Sequence, residues 1–286
     1  PFDLSDGRKF IPYRIITPEV SQRLFHAEGS GQVRILSAKL KGKISEIEHC
    51  DQPSYVHVLT AEVRLNGTSL KLPWDLPPLE DLKGHLLYRD GHLHFKEGEG
   101  RVLHSRIDQM DGTFYQLLQV ATLETQLNGE LDLTDLPAWG RYKDIPKEFA
   151  QYLSPFRIES GKTLYQLSLK TVLKAPLHFK HQGSYHLSRV RFYRSQLPFP
   201  VSVAGGRVAL SNEGIEGSDL HVTFQQSSLL MKGAWKWDEK NPPFEIFARG
   251  RVDLKNLLAL SQSPLFPEDI RSKWKGIDGL SGTGQL

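Results

Sequence analysis

Short alternations of apolar and polar residues, separated by glycine-containing segments, run through most of the chain. From Leu123 to Leu133 the apolar side chains occupy the odd positions, so they share one face of a strand with a period of two. The segments Phe244 to Leu254 and Leu220 to Phe224 repeat this pattern. The pattern predicts antiparallel strands with one apolar face and one polar face.

Turn signals lie between several of these alternating runs. Asp90-Gly91 and Asn212-Glu213-Gly214 each separate two apolar runs, which predicts a hairpin at both places. On the same grounds Asn66-Gly67 is expected to be a turn, and Gly98-Glu99-Gly100 is expected to lie between strands.

The strands recur at a fixed distance along the chain. Asn128-Gly129-Glu130-Leu131-Asp132-Leu133 matches Arg249-Gly250-Arg251-Val252-Asp253-Leu254, which lies 121 residues further on. Further pairs at the same offset are Gly84 with Gly205, Gly112 with Gly233, and Pro146 with Pro267. Internal similarity of this kind predicts a repeated structural unit.

Short helices are expected between the strand series. Pro18, Pro146 and Pro267 each head a helix-like stretch, and proline is favoured at the first helical position. Residues 136–154 and 257–274 carry apolar side chains at helical spacing, whereas a solvated linker would be polar. This favours helices packed on one continuous sheet. A tandem of two compact β-sandwich domains remains open at this point.

The repeat predicts four parts of the chain. Residues 1–30 are the end of a preceding unit with a short helix, and residues 31–145 form the first β-repeat unit. Residues 146–266 form a short helix and the second unit, and residues 267–286 begin a third. Because the first residues lack an initiator Met and an apolar signal-peptide core, we expect a longer polypeptide, with any membrane anchor outside this segment.

Composition and motifs remove several classes of function. The 36 Lys and Arg residues and 33 Asp and Glu residues are interspersed, so the net charge of +3 gives no reason to expect nucleic-acid binding. Cys50 is the only cysteine, which excludes an intramolecular disulfide and a thiolate zinc site. The usual motifs of serine hydrolases, zinc proteases and nucleotide hydrolases are absent, so we expect neither an enzyme nor a cofactor.

Two side-chain groups need separate consideration. His92 and His94 share a strand face, with His85 across a hairpin, but without a carboxylate at matching spacing we interpret them as exposed and predict no metal site. Trp235 and Trp237 share another strand face and could stack on sugar, although core or edge packing is favoured. A carbohydrate-binding β-sandwich therefore stays open.

The strand endings at residues 129–133 and 250–254 are each followed by a short Leu- or Pro-led helix, and then by a Ser-Gly that opens the next strand series. This arrangement resembles the AsmA-like superfamily of envelope proteins, most closely its YhdP-like branch. The resemblance implies a mainly β fold, in which a long curved antiparallel sheet of repeated strand units forms a groove. It also implies an inner-membrane anchor and a periplasmic protein that moves phospholipid towards the outer membrane of a Gram-negative cell.

A groove of this kind would hold acyl chains against the apolar side chains of the repeated strands, without a specific head-group site. The candidate lipid-binding residues are Leu123, Leu127, Leu131, Leu133, Leu220, Val222, Phe224, Phe244, Ile246, Val252 and Leu254. Phospholipid acyl chains are the expected partner. A structural or protein-binding β-repeat module is the main alternative, because a period-two apolar face equally describes a sealed sandwich core.

Overall fold

The computed structural model describes residues 2–3, 28–49, 52–71, 75–117, 121–143, 155–172, 178–236, 245–264, 268–275, 277 and 281–285. The chain divides into two compact units. Unit 1 comprises residues 1–130, 141–146 and 166–182, and unit 2 comprises residues 131–140, 147–165 and 183–286.

Unit 1 is built on antiparallel strands, each paired with the next strand in sequence. The strands are β1 (Phe2–Asp3), β2 (Glu28–Leu40), β3 (Leu59–Lys71), β4 (Leu79–Arg89), β5 (His92–Val102), β6 (Ser105–Tyr115) and β7 (Thr122–Asp132), whose last two residues belong to unit 2. The connection from β2 to β3 contains the short helix α1 (Ile44–Ile47) and a 3-10 helix (Pro53–Val58).

Unit 2 follows the same principle of consecutive antiparallel pairing. Its strands are β10 (Val201–Ser211), β11 (Gly214–Phe224), β12 (Ser227–Lys236), β13 (Glu245–Asp253) and β14 (Thr283–Gln285). Its helices are a 3-10 helix (Leu133–Asp135), α2 (Leu136–Trp139), α3 (Leu254–Ser261) and α4 (Glu268–Trp274). Two longer strands, β8 (Phe156–Val172) and β9 (His178–Arg194), contribute residues to both units.

The prediction of a mainly β fold, with antiparallel sheet and short helices, is confirmed. Helix α3 directly follows β13, and α2 follows β7 after the 3-10 helix, so both lie where the sequence places a helix. Helix α4 begins at Glu268, one residue after Pro267. The helical stretches predicted at Pro18 and Pro146 lie outside the described residues, as does Pro267 itself.

Two of the four turn predictions are confirmed and two are wrong. Asp90-Gly91 joins β4 to β5, and the turn at Asn212-Glu213 joins β10 to β11. Asn66-Gly67 instead lies within β3, where the register shifts between Leu65 and Thr68 and Gly67 has a φ of 61°. Gly98-Glu99-Gly100 lies within β5, because Gly98 pairs with Met110 and Gly100 with Ile107 on β6.

The repeat has structural counterparts in the two units. Asp132 ends β7 and caps the 3-10 helix that follows, and Asp253 ends β13 and caps α3. Gly112 lies opposite Thr125, and 121 residues further on Gly233 lies opposite Ile246. The offset is not constant, however. Gly84 has a φ of 141°, and its counterpart with a φ of 142° is Gly206, 122 residues further on, rather than Gly205.

No helix within the described residues combines the length and the apolar character needed to cross a bilayer.

Candidate apolar face of the sheet

The two faces of the unit 2 sheet differ in polarity because its strands alternate. Val203 on β10 lies directly opposite Val222 on β11, which lies opposite Leu229 on β12. Residues directly opposite in antiparallel strands point to the same face, so these three side chains form one continuous apolar row. Together with Val252 on β13 they belong to a buried cluster, and each is less than a tenth exposed.

One end of this apolar face is closed by the helices. Leu257 and Leu260 of α3 pack against the buried cluster, and so does Leu136 of α2. Phe199, which precedes β10, stacks on Phe224 with 5.1 Å between the ring centroids. The apolar face is therefore an ordinary core where the helices cover it.

The same face continues along the strands beyond the helices and stays open there. We define the open strip as Val208, Leu210, Ile215, Trp235 and Ile246. The register of the strands defines two rows. In the first row, Leu210, Ile215 and Trp235 are aligned across three strands. In the next row, Val208 and Ile246 lie on either side of the paired glycines Gly217 and Gly233. Trp235 is 39% exposed and Ile246 is 46% exposed, whereas Val252 on the same face is 2% exposed.

Most of the predicted lipid-binding residues lie in or beside the covered core of unit 2. Leu133, Val222, Phe224 and Val252 are buried in the core cluster, and Leu131 and Leu220 pack against it. Leu254 is the first residue of α3 and is half-buried. Their role as lipid contacts stays a prediction.

The four remaining candidates lie elsewhere. Ile246 is a member of the open strip, and Phe244 lies outside the described residues. Leu123 and Leu127 belong to β7 and are half-buried opposite Phe114 and Met110. Sequence reasoning did not single out Val208, Leu210 and Ile215 as site residues. Their alignment with Trp235 depends on the pairing register. The bulge between Gly217 and Leu220 shifts that register, so the alignment cannot be counted out along the sequence.

Unit 1 has the same two-sided character. Its buried cluster is Val33, Leu65, Leu82 and Phe95, contributed by four consecutive strands. Nearer the other strand ends, one further row crosses six strands on the same face, and its side chains range from half-buried to exposed. That row contains Ala38, Ala61, Tyr88, Leu93, Phe114 and Leu123.

The opposite face of both units is polar. In unit 2, Phe247 follows Ile246 in sequence and is similarly exposed at 51%, but it lies on the other face. There Lys232 places its ammonium nitrogen 4.8 Å from the centre of the Phe247 ring. The Phe247 ring is thus paired with a charged group and is not a free apolar surface.

His85, His92 and His94 lie on the polar face of unit 1. Partial burial lowers the pKa of His94, and the nearby His92 and Lys96 lower it further. His94 Nδ1 lies 3.0 Å from the Thr113 hydroxyl, and the His92 and His94 ring centres are 6.4 Å apart. Within the part of the chain that the structure describes, no group of three His, Cys, Asp or Glu side chains could hold a metal ion.

Trp235 belongs to the open strip, and Trp237 lies outside the described residues. An exposed Trp in a sugar site needs polar hydrogen-bonding neighbours around the ring. The residues aligned with Trp235 are instead Ile215 and Leu210, so its surroundings suit an apolar ligand better than a sugar.

A mainly β chain of consecutive antiparallel strands, with one apolar and one polar face, has the architecture expected of the AsmA-like class. The sequence profile of the YhdP protein family matches residues 2–276, nearly the whole chain. The chain therefore belongs to the YhdP family, an AsmA-like family of bridge lipid transfer proteins. No curated protein and no solved structure matches it.

Proposed function

We propose that this chain is a lipid-binding segment of an envelope protein that moves phospholipid between the inner and outer membranes. Acyl chains lie along the apolar face of the strands, and head groups stay in water. The protein acts in the periplasm, is held at the inner membrane by a segment outside this chain, and carries out no enzymatic step. Membership of the YhdP family supports this proposal.

The observation that carries the proposal is the open strip. In a sealed sandwich the apolar face would be covered along its whole length, but Trp235 and Ile246 are 39% and 46% exposed on the face that buries Val252. Each methylene group of an acyl chain that leaves water for such a surface contributes about 0.8 kcal/mol. Several methylene groups on the strip therefore suffice for binding without any head-group contact.

The adjacent residues Ile246 and Phe247 provide a matched test. They have similar exposure and lie on opposite faces of β13. A photo-crosslinking amino acid at position 246, in Gram-negative cells that produce the protein, is expected to form phospholipid adducts. The same probe at position 247 is expected to form few or none, and mass spectrometry of the adducts measures both.

Other outcomes would contradict the proposal. Equal lipid adducts at both positions would mean that the face of the strand does not matter. Adducts with another protein at position 246 would instead favour the protein-binding alternative. Absence of lipid at position 246, with the probe demonstrably reactive at position 247, would remove the acyl-chain site from the strip.

A further inference from the structure

An open cleft lies on the polar face of unit 1, on the opposite side of the sheet from the apolar face. Its volume of about 510 Å³ is in the range of small-molecule sites. Val33 and Leu65, which belong to the buried cluster, also line it, so the floor of the cleft is formed by strands whose other face is packed in the core. The charged and titratable side chains that line it are Arg34, Arg64, Lys83, His85, Glu97 and Glu99.

Two arginines in this cleft oppose each other directly. Arg34 on β2 pairs in register with Arg64 on β3, and like charges at directly opposite positions destabilise a sheet. Among the described residues Arg34 has no ion-pair or hydrogen-bond partner. The pair therefore costs stability in the free protein, which is the expected signature of side chains kept for a ligand.

The second arginine is hydrogen-bonded to an imidazole ring rather than to a carboxylate. Arg64 Nε and Nη2 lie 3.3 and 3.0 Å from His85 Nε2. Because a guanidinium has no acceptor, Nε2 must accept and therefore carries no proton. Neither contact pairs Arg64 with a carboxylate, so both guanidinium groups remain available to an anionic ligand. Two such groups form the bidentate donor set that phosphate oxygens prefer.

The other side of the cleft is acidic. Glu97 and Glu99 on β5 are 83% and 59% exposed, and Glu99 lies 3.9 Å from the Lys83 ammonium. Glu97 has a φ of 53°, and its backbone N–H donates to Asp111 Oδ1 at 2.9 Å, which fixes the local conformation. A cationic end and an acidic end in one cleft select a ligand that carries both charges.

We propose that this cleft binds a small zwitterion with a phosphate group held by Arg34 and Arg64 and a primary ammonium group held by Glu97 and Glu99. The site lies on the polar face, so it is independent of acyl-chain binding to the open strip. Phosphoethanolamine has this chemistry, both as a free phosphate monoester and as the phosphodiester of a lipid head group.

Isothermal titration calorimetry on the 286-residue chain tests the proposal with soluble probes. O-phosphoethanolamine and glycerophosphoethanolamine are both expected to give saturable binding, and the tighter of the two identifies the free or the lipid-derived source. Inorganic phosphate is expected to bind more weakly than O-phosphoethanolamine because it lacks the ammonium group and meets the two glutamates.

Two double variants separate the two ends of the site. R34Q/R64Q is expected to lower the affinity for both O-phosphoethanolamine and inorganic phosphate by at least about tenfold. E97Q/E99Q is expected to lower the affinity for O-phosphoethanolamine, because the ammonium group loses its partners. The same variant is expected to raise the affinity for inorganic phosphate, because the two glutamates no longer repel it. Arg89→Gln, outside the cleft on β4, is the matched control and should leave both affinities within about twofold.

Thermal unfolding tests whether the R34Q/R64Q variant loses binding only because it is unfolded. R34Q/R64Q is expected to melt at the same temperature as the parent chain or higher, because the opposed pair no longer repels. The proposal is overturned if neither phosphoethanolamine probe binds saturably, or if Arg89→Gln weakens binding as much as the double variant. It is also overturned if E97Q/E99Q shifts both affinities in the same direction. Crosslinking at position 246 is unaffected by these outcomes.

Discussion

At the scale of single residues, the core of unit 1 depends on a glycine that accommodates an aromatic ring. Phe95 belongs to the buried cluster, and its ring occupies the space where a side chain at position 98 would begin. A methyl group there would overlap Phe95 Cε1 and approach the Met110 carbonyl oxygen to 2.8 Å. Gly98 is thus required by packing.

Gly98→Ala is therefore expected to lower the free energy of unfolding by about 1 to 3 kcal/mol, the usual cost of overpacking a core. Gly205→Ala is the matched control, because a methyl group there would meet only the Leu187 carbonyl oxygen, at 3.8 Å. That substitution should be neutral or stabilise by up to about 1 kcal/mol. Urea unfolding measures both, and similar losses in the two variants would contradict the packing argument.

Alternation along a strand predicts which face a residue occupies, but it does not predict how deeply the residue is buried. Ile246 and Val252 occupy the same face of β13 with the same periodicity, yet they are 46% and 2% exposed. The difference comes from α3, whose Leu257 packs over the core end of the face only. The sequence therefore predicts which side chains share the apolar face. It does not predict the open strip, because that depends on which helices cover the face.

At the scale of elements, an Asn-Gly pair does not by itself predict a turn, because strand pairing decides whether the chain reverses there. Asn-Gly tolerates a positive φ, which suits both a hairpin turn and a bulge inside a strand. Whether Asn66-Gly67 turns the chain depends on the partners of the residues around it. Leu65 pairs with Val33 on β2 and with Gly84 on β4, so β3 runs straight through.

The helices that follow β7 and β13 begin at equivalent aspartates. Asp253 Oδ1 accepts a hydrogen bond from the Asn256 N–H at 3.1 Å, and Asp132 Oδ1 accepts from the Thr134 N–H at 2.9 Å. The Asp253 N–H in turn donates to the Ser227 hydroxyl at 3.1 Å, which ties the start of α3 to β12. The sequence match between these segments thus reflects a shared capping arrangement.

Asp253→Ala is expected to lower the free energy of unfolding by about 1 kcal/mol, because a capping acceptor is lost at the start of the helix that covers the core. Asp132→Ala should cost a similar amount, since its cap is equivalent. Glu213→Ala, in the exposed turn between β10 and β11, should stay within about 0.5 kcal/mol of the parent. Guanidinium unfolding compares the three, and a cost at Glu213 equal to that at Asp253 would rule out the capping role.

At the scale of the whole molecule, the number of repeated units determines how much lipid the chain can bind. When each strand pairs with the next one in sequence, adding strands adds apolar surface in proportion, and it does not create a separate pocket. The division into units at residues 31–145 and 146–266 stays a prediction. The equivalent aspartates at positions 132 and 253 nonetheless define where one copy can be joined to the next.

A chain in which residues 133–253 are duplicated in tandem tests this property. The new junction places Leu133 after Asp253, which reproduces both natural junctions, Asp132-Leu133 and Asp253-Leu254. Circular dichroism per residue should therefore be unchanged, and the phospholipid that co-purifies with each chain, counted by native mass spectrometry, should increase by about two fifths. An unchanged count in a folded duplicate would mean that lipid occupies one discrete site, and that the open strip is not part of a continuous binding surface.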